Sequence, residues 1–518
     1  MDTVLILDFG SQTTQLIGRR VRELGVYSRI LPGETALAPL LGPQVRGIIL
    51  SGSPYSVCAP GSPRPDAAVY SSGRPILGIC YGLQRIIQDH GGEVTSVEKR
   101  EYGRSRIHFS GKRKPALFAG VPEGFISWMS HGDTITKAAP GFSVGAVSEN
   151  GLPAFLQHPE KRIYGIQFHP EVTHCEGGLR ILENFLFKIC GVQKGWSMEA
   201  YLERIAGEIR VRVGAAPVLL LTSGGVDSTV VAAVLLKLLD PDRVHLLYID
   251  TGLMRLKESE EVQQRLEGLG ARHLHEIDAS ARFFAALKGV IDPEEKRQAI
   301  GDLFIRVQAE EIAKLGIPGA FLAQGTLYTD LIESGKGVGA KANVIKSHHN
   351  VRSPLVEEKR AMGLLIEPLA ELYKDEVREL GRRLGLGEET VGRQPFPGPG
   401  LAVRILGEVT AEKCDLLRRA DSLYLSELRR RGHYDRIWQA FSVLLPLRSV
   451  GVSGDVRRYG YVLALRAITS KDGMTADVYP FPVSELLEIS AGITNSIPEI
   501  GRVVYDISSK PPATIEWE

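Results

Sequence analysis

A cysteine bracketed by glycines, Gly78-Ile79-Cys80-Tyr81-Gly82, lies between the apolar run Pro75 to Ile79 and a helical stretch, Leu83 to Asp89. A strand, a sharp turn and a helix in that order make a nucleophile elbow, which lifts one side chain clear of a sheet. The flanking glycines are expected to permit the strained turn, and the helix N-terminus favours a thiolate. Such a nucleophile needs a base oriented by a third group, and Phe168-His169-Pro170-Glu171 offers both. In an extended segment i and i+2 point the same way, so His169 can face Cys80 while Glu171 fixes its tautomer. The N–H groups of Gly52, just after an apolar run, and of Tyr81 are the expected oxyanion donors. An arbitrary cysteine or histidine reads as a small buried hydrophobe or a satisfied loop residue. The elbow sets Cys80 apart, and Cys58, Cys175, Cys190 and Cys414 lack that setting.

A second constellation follows the strand Val218 to Leu221, where Ser223-Gly224-Gly225-Val226-Asp227-Ser228 opens a helix from Thr229 to Leu239. Adjacent glycines let backbone N–H groups close on phosphate, and the helix N-terminus adds partial positive charge. Asp227 could hold Mg²⁺. No lysine follows as in a Walker loop, so ordinary γ-phosphate transfer is not indicated. The next strand, Val244 to Asp250, should end near the ligand crevice of a doubly wound sheet, with Tyr248 and Ile249 among the adenine and ribose contacts. Two polar, aperiodic stretches carry further candidates: Asp330 and Glu333 in Gln324 to Ser334, and Lys346, His348 and His349 in Ile345 to Asn350. At the C-terminus, Lys510-Pro511-Pro512-Ala513-Thr514-Ile515-Glu516 presents a cation suited to a phosphate and a carboxylate able to accept from a purine N–H.

The elements needed to position these groups set the fold class. The chain has 518 residues, beyond the size at which one hydrophobic core stops growing, so two or three domains are expected. Strands alternate with helices up to about Cys190, glycines break the pattern at Gly191 to Trp196, and alternation resumes to about Gly387. Pro395-Phe396-Pro397-Gly398-Pro399-Gly400 can continue neither a helix nor a central strand and marks a further boundary. The expected architecture is therefore α/β: residues 1–191, a linker and leading helix at 192–205, a second α/β domain at 206–394, and a small α+β domain at 395–518. Apolar and charged fractions of 43% and 24% with a net charge of +1 indicate a soluble cytoplasmic chain with neither a membrane partner nor a broad basic field for nucleic acid. Cysteines numbering 5, without CxxC spacing, point to neither a disulfide framework nor a zinc site.

The GICYG and FHPE strings resemble those of class I glutamine amidotransferases over residues 1 to 190. That resemblance implies a glutamyl thioester on Cys80 and release of ammonia. SGGVDS resembles the pyrophosphate loop of the ATP pyrophosphatases. The stretches at 324–334 and 345–350, Tyr434 to Phe441, Asp472 to Asp477 and Asp506 to Glu518 resemble the GMP synthase family. Membership would imply that ATP with Mg²⁺ adenylates xanthosine monophosphate (XMP), that ammonia displaces AMP, and that the third domain pairs two subunits as a homodimer. It would place Lys346 on ATP phosphate, His348 and His349 near the reacting centre, and Asp330 with Glu333 near the metal or ammonia. Arg297, Gln439, Arg502, Lys510, Ile515 and Glu516 would contact XMP. Departures from the family pattern fall at Ser53, at Thr329 and at Arg352-Ser353-Pro354-Leu355. Two other readings stay open from sequence: an amidating ATP pyrophosphatase with another acceptor, and a catalytically silent nucleotide-binding or regulatory homologue.

Overall fold

The structure is a computed structural model that describes residues 1–111, 114–317, 319–333, 353–453, 456–470 and 475–518. The chain forms two compact units: Met1–Arg204 with the short helix Tyr328–Glu333, and Ile205–Leu327 with residues 353–518. Among the described residues no helix is long and apolar enough to cross a membrane.

The first unit is built on one mixed sheet. Its strands in chain order are β1 (Thr3–Asp8), β2 (Tyr27–Pro32), β3 (Val45–Leu50), β4 (Ile76–Ile79), β5 (Glu93–Phe109), β6 (Ile126–Lys137), β7 (Ser143–Ser148), β8 (Pro153–His158) and β9 (Ile163–Ile166). They lie in the order β2-β1-β3-β4-β9-β8-β7-β5-β6, parallel from β2 to β9 and antiparallel beyond. The antiparallel extension is a feature the helix–strand alternation did not signal. In the parallel part, Val4 and Ile6 pack into a cluster with Ile17, Val21, Ile181 and Phe185, while Leu5 and Leu7 join Ile86 and Ile87 on the other face. Strands buried on both faces read as unbroken apolar runs, which is why these were legible.

The second unit holds a parallel sheet of β10 (Val218–Thr222), β11 (Val244–Asp250), β12 (His273–Asp278), β13 (Phe321–Ala323) and β14 (Leu365–Ile366), ordered β12-β11-β10-β13-β14. The chain leaves β10 in one direction and returns on its other side, so the strand order reverses between β10 and β13. Ligands of open α/β sheets bind at the carboxyl ends of such a pair. A second sheet pairs β15 (Gln439–Ser453) with β16 (Val456–Thr469), whose far edge carries β17 (Asp477–Val478) and β18 (Ile500–Tyr505). The expected long helix is Ala411–Arg430, and a further helix, Val483–Ser496, was not anticipated. One apolar cluster joins Leu253, Phe283 and Val307 to Leu401, Leu417, Tyr424 and Ile489, so burial is continuous across residues 394 and 395.

On β11 and β12, His245 stacks on His273 and His275 with ring centroids 4.7 and 5.6 Å apart. Burial and the neighbouring imidazoles push His245 and His275 below the ordinary histidine value. The folded state therefore binds fewer protons than the unfolded one near the ordinary pKa of about 6.5, and stability is lost as pH falls through that range. His275→Gln should make the unfolding midpoint fall less steeply between about pH 7.5 and 5, by a fraction of one bound proton, in thermal scans at several pH values.

Candidate active site

Cys80 follows β4, in the parallel interior of the first sheet between β3 and β9, and precedes the helix Tyr81–Asp89. Its own backbone carries the strain of the turn, with φ of 53° and ψ of −107°. The flanking glycines permit the turn by leaving room for its backbone. A Cβ on Gly82 would lie 2.4 Å from the Leu50 carbonyl oxygen, and one on Gly78 would lie 2.6 Å from the Leu83 nitrogen. They permit close packing of the elbow on the sheet, while Cys80 itself adopts the unusual conformation, held by its N–H to the Ile166 carbonyl at 2.8 Å.

His169 and Glu171, on the segment after β9, are buried with Cys80. His169 Nδ1 lies 2.7 Å from Glu171 Oε1, so the i, i+2 geometry holds. Burial by itself would lower the His169 pKa, but the Glu171 charge and interactions with Cys80 outweigh it, and the ring is held well above its ordinary value. A ring of that basicity beside a sulfur can take the thiol proton and later return it to a leaving amine. Gly52 packs against this pair: a Cβ there would lie 3.2 Å from His169 Cε1. As the first residue of its helix, Tyr81 has an N–H with no intrahelical acceptor. Ser53, a departure from the family pattern, uses its hydroxyl to bridge the Phe9 carbonyl and the Tyr55 N–H at 2.8 and 3.1 Å. Burial pushes the Cys175, Cys190 and Cys414 thiols up to about 12, which leaves them inert near neutrality.

In the second unit the Ser223–Ser228 loop lies at the carboxyl end of β10, where the strand order reverses. Gly224 has φ of 72°, and a Cβ on it would overlap Val262 Cγ2 at 2.2 Å, so only glycine fits. The Ser228 hydroxyl ties the loop to itself through the Ser223 N–H at 3.3 Å and the Gly225 carbonyl at 3.1 Å. The loop after β13 packs on it, since a Cβ on Gly325 would lie 3.4 Å from Asp227 Cβ. Asp227 is paired with Lys374 Nζ at 2.6 Å, and Arg265 and Arg393 both donate to the Gly224 carbonyl at 3.4 Å. These cations, absent from the sequence reading, gather around the loop expected to hold phosphate. Tyr248 and Ile249 have buried side chains, with Tyr248 Oη 3.0 Å from Ser259 Oγ, so contacts from this strand to a nucleotide would be through backbone.

A family model of class-I glutamine amidotransferases matches residues 5–189, and one of the GMP synthase C-terminal domain matches residues 426–517. The chain is 51% identical over 516 residues to the glutamine-hydrolysing GMP synthase of Aquifex aeolicus strain VF5, covering 99% of both chains. It is 50% identical over 521 residues to the same enzyme of Bartonella bacilliformis, covering 100% of this chain and 99% of that one. For the Carboxydothermus hydrogenoformans enzyme the identity is 50% over 515 residues, with 99% of each covered. The chain belongs to the glutamine-hydrolysing GMP synthase family.

Within that family frame, the C-terminal segment is held by buried arginines. Glu516 accepts from Arg404 Nη2 and from Gln439 Nε2, both at 2.8 Å, which brings two expected acceptor-site residues together. Arg466, fully buried, donates to the carbonyls of Ser508, Thr514 and Ile515. Arg297 reaches the Glu518 carbonyl, and Lys510 pairs through its backbone with Ala476. Arg502 stands apart from this cluster, donating to Ser449 Oγ on the β15–β16 hairpin at 2.9 Å. Asp330 lies on the helix Tyr328–Glu333, grouped with the first unit, where Tyr328 Oη accepts the Ile30 N–H at 2.7 Å. Lys346, His348 and His349 lie outside the described residues, as does the side chain of Glu333.

Sequence reasoning missed Gln84 and Gln167. Gln84 Nε2 donates to the Asp133 carbonyl at 2.8 Å and approaches Gln167 Oε1 at 3.3 Å, while Gln167 Nε2 reaches Cys80 Sγ at 3.7 Å. A signal existed for the first: Gln84 is one helical turn after Cys80, on the same face. Lys374, Arg265 and Arg393 carried no such mark, because each reaches the loop from a separate element.

Proposed function

We propose that Cys80, His169 and Glu171 hydrolyse glutamine through a glutamyl thioester, with the Gly52 and Tyr81 N–H groups facing the oxyanion, and that the ammonia aminates XMP at the second unit. The observation that carries this reading is the strained Cys80 elbow beside a His169 that Glu171 holds at 2.7 Å. The thiolate attacks the glutamine amide carbon, His169 protonates the departing ammonia, and water then cleaves the thioester to glutamate.

At the other site, the Ser223–Ser228 loop would bind ATP phosphates, while adenylation of XMP turns a poor leaving oxygen into AMP, which ammonia displaces. A single carboxylate beside a phosphate loop suits Mg²⁺, which takes few protein ligands and completes its shell with phosphate and water. Asp227 would hold it after parting from Lys374, and the ion would neutralise pyrophosphate charge. Glu516, oriented by Arg404 and Gln439, would meet the purine, with Lys510 on the XMP phosphate and Arg297 and Ile515 beside it. The division into residues 1–191, 206–394 and 395–518, a homodimer through the last of these and a cytoplasmic setting accompany this reading.

The test is XMP consumption, followed by ultraviolet absorbance, with ATP, Mg²⁺ and either glutamine or ammonium. Turnover with both nitrogen donors supports the reading. Turnover with neither, while ATP still binds, favours a silent homologue or another acceptor. Lys510→Met should raise the KM for XMP roughly 10- to 100-fold, the value of one charged hydrogen bond, with glutamine hydrolysis unchanged.

A further inference from the structure

A buried polar pair that the proposed chemistry does not use lies against the cysteine site. β6 is the edge strand of its sheet and passes Cys80, whose thiol faces the Ser130 carbonyl at 3.6 Å. The next carbonyl engaged, that of Asp133, accepts the Gln84 amide, which leads through Gln167 back to Cys80 Sγ. His131 sits between these points with its ring buried. Its Nδ1 faces the same Asp133 carbonyl at 2.9 Å, and its Nε2 faces Glu101 Oε2 at 3.1 Å. Glu101, directly across on β5, accepts further hydrogen bonds from Ser148 Oγ at 2.7 Å and Asn150 Nδ2 at 2.8 Å.

A histidine–carboxylate pair is costly to bury unless every polar atom is satisfied, and here both ring nitrogens and both carboxylate oxygens have partners, which fixes the pair in one geometry. The β5–β6 register shifts between Ser96 and Glu101, so the regular ladder is interrupted just where the strand passes the cysteine. Burial would raise the Glu101 carboxyl, but the hydrogen bonds from His131, Asn150 and Ser148 outweigh it and keep it below its ordinary value. The charged acceptor that His131 needs is thereby maintained.

We propose that His131 and Glu101 form a positioning clamp, fixing the Ser130 to Asp133 backbone and Gln84 against Cys80 and so setting the affinity for glutamine. This rests on Cys80 being the glutamine-hydrolysing nucleophile. The clamp touches no reacting atom, so its removal should loosen substrate placement more than it alters the chemical step.

The experiment compares full-length wild type with His131→Ala, His131→Asn and Glu101→Gln by glutamate release, ammonium-driven XMP amination and thermal unfolding. His131→Ala is expected to raise the glutamine KM about 10-fold or more with a smaller fall in kcat, as for a displaced subsite. His131→Asn, whose amide can still donate to the Asp133 carbonyl, should recover part of that loss, and the ammonium-driven rate should stay within about twofold. A glutamine KM within about twofold of wild type in both His131→Asn and Glu101→Gln overturns the clamp, and these variants decide the matter if His131→Ala aggregates. An equal loss of ammonium-driven rate also overturns it, since that marks general destabilisation. A Cys80→Ala control that still hydrolysed glutamine would remove the reading of Cys80 instead, whatever the His131 variants do.

Discussion

Cys80→Ala is expected to lower glutamine-dependent XMP amination by at least about 10⁴-fold, while amination driven by ammonium stays near the wild-type rate. Removal of a nucleophile that works as a unit with its base costs about as much as removal of the whole unit, which fixes the order of magnitude. The side chain is small and buried against the Ser130 carbonyl and the Gln167 amide, so truncation leaves only a minor void. Parallel assays with glutamine and with an ammonium salt check this. Equal loss with both donors would mean that Cys80 supports the fold and not the release of ammonia. His169→Ala should resemble Cys80→Ala, because among the described residues His169 is the base beside the sulfur, whereas Glu171→Gln should retain more activity, since its amide oxygen can still accept from Nδ1.

The second large effect is expected at the opposite end of the reaction. Gly224→Ala places a Cβ 2.2 Å from Val262 Cγ2 at a residue with φ of 72°, so the substitution meets both steric overlap and an unfavourable backbone. The loop must shift by a large fraction of an ångström, and a displacement of about 1 Å can cost roughly 100-fold in rate. Ammonium-driven XMP amination should fall by that order, with a weakened response to ATP, whereas glutamate release by Cys80 should not change. Gly225→Ala is the control: a Cβ there would lie 3.4 Å from Ser223 Oγ, ordinary contact, and should cost far less. If the two variants behaved alike, the shape of the loop would not be what binds phosphate.

Legibility followed the range of the interactions involved. The Cys80 elbow, the His169–Glu171 pair and the Ser223–Ser228 glycine loop were readable because each is made of neighbours in the chain, where residue type and a spacing of one or two positions dictate the geometry. Gly78 and Gly82 were legible as residues that permit the turn, but not what a side chain there would have met, since sequence shows the absence of a side chain and not what would have filled its space. Gln84 was within reach of a periodicity argument. Gln167, Lys374, Arg265 and Arg393 were not, because each approaches its site across the fold from an element whose direction no local pattern specifies. The antiparallel strands β5 to β8 were missed for a related reason: they are partly exposed and lack the unbroken apolar runs of the buried parallel strands.

By itself, then, the sequence determined the α/β class and singled out Cys80, His169, Glu171 and the Ser223–Ser228 loop as the candidates for chemistry. Tertiary structure decided which charges meet. Glu516, read as a carboxylate able to accept from a purine N–H, is held by Arg404 and Gln439; Asp227, read as a metal ligand, is paired with Lys374; and Glu101 and His131, unremarked in the sequence, pair beside Ser130, whose carbonyl faces the cysteine thiol. Local conformation depends on a residue and its near neighbours, whereas the partner of a buried charge depends on which distant segments the sheet brings together, and only strand order and register fix that.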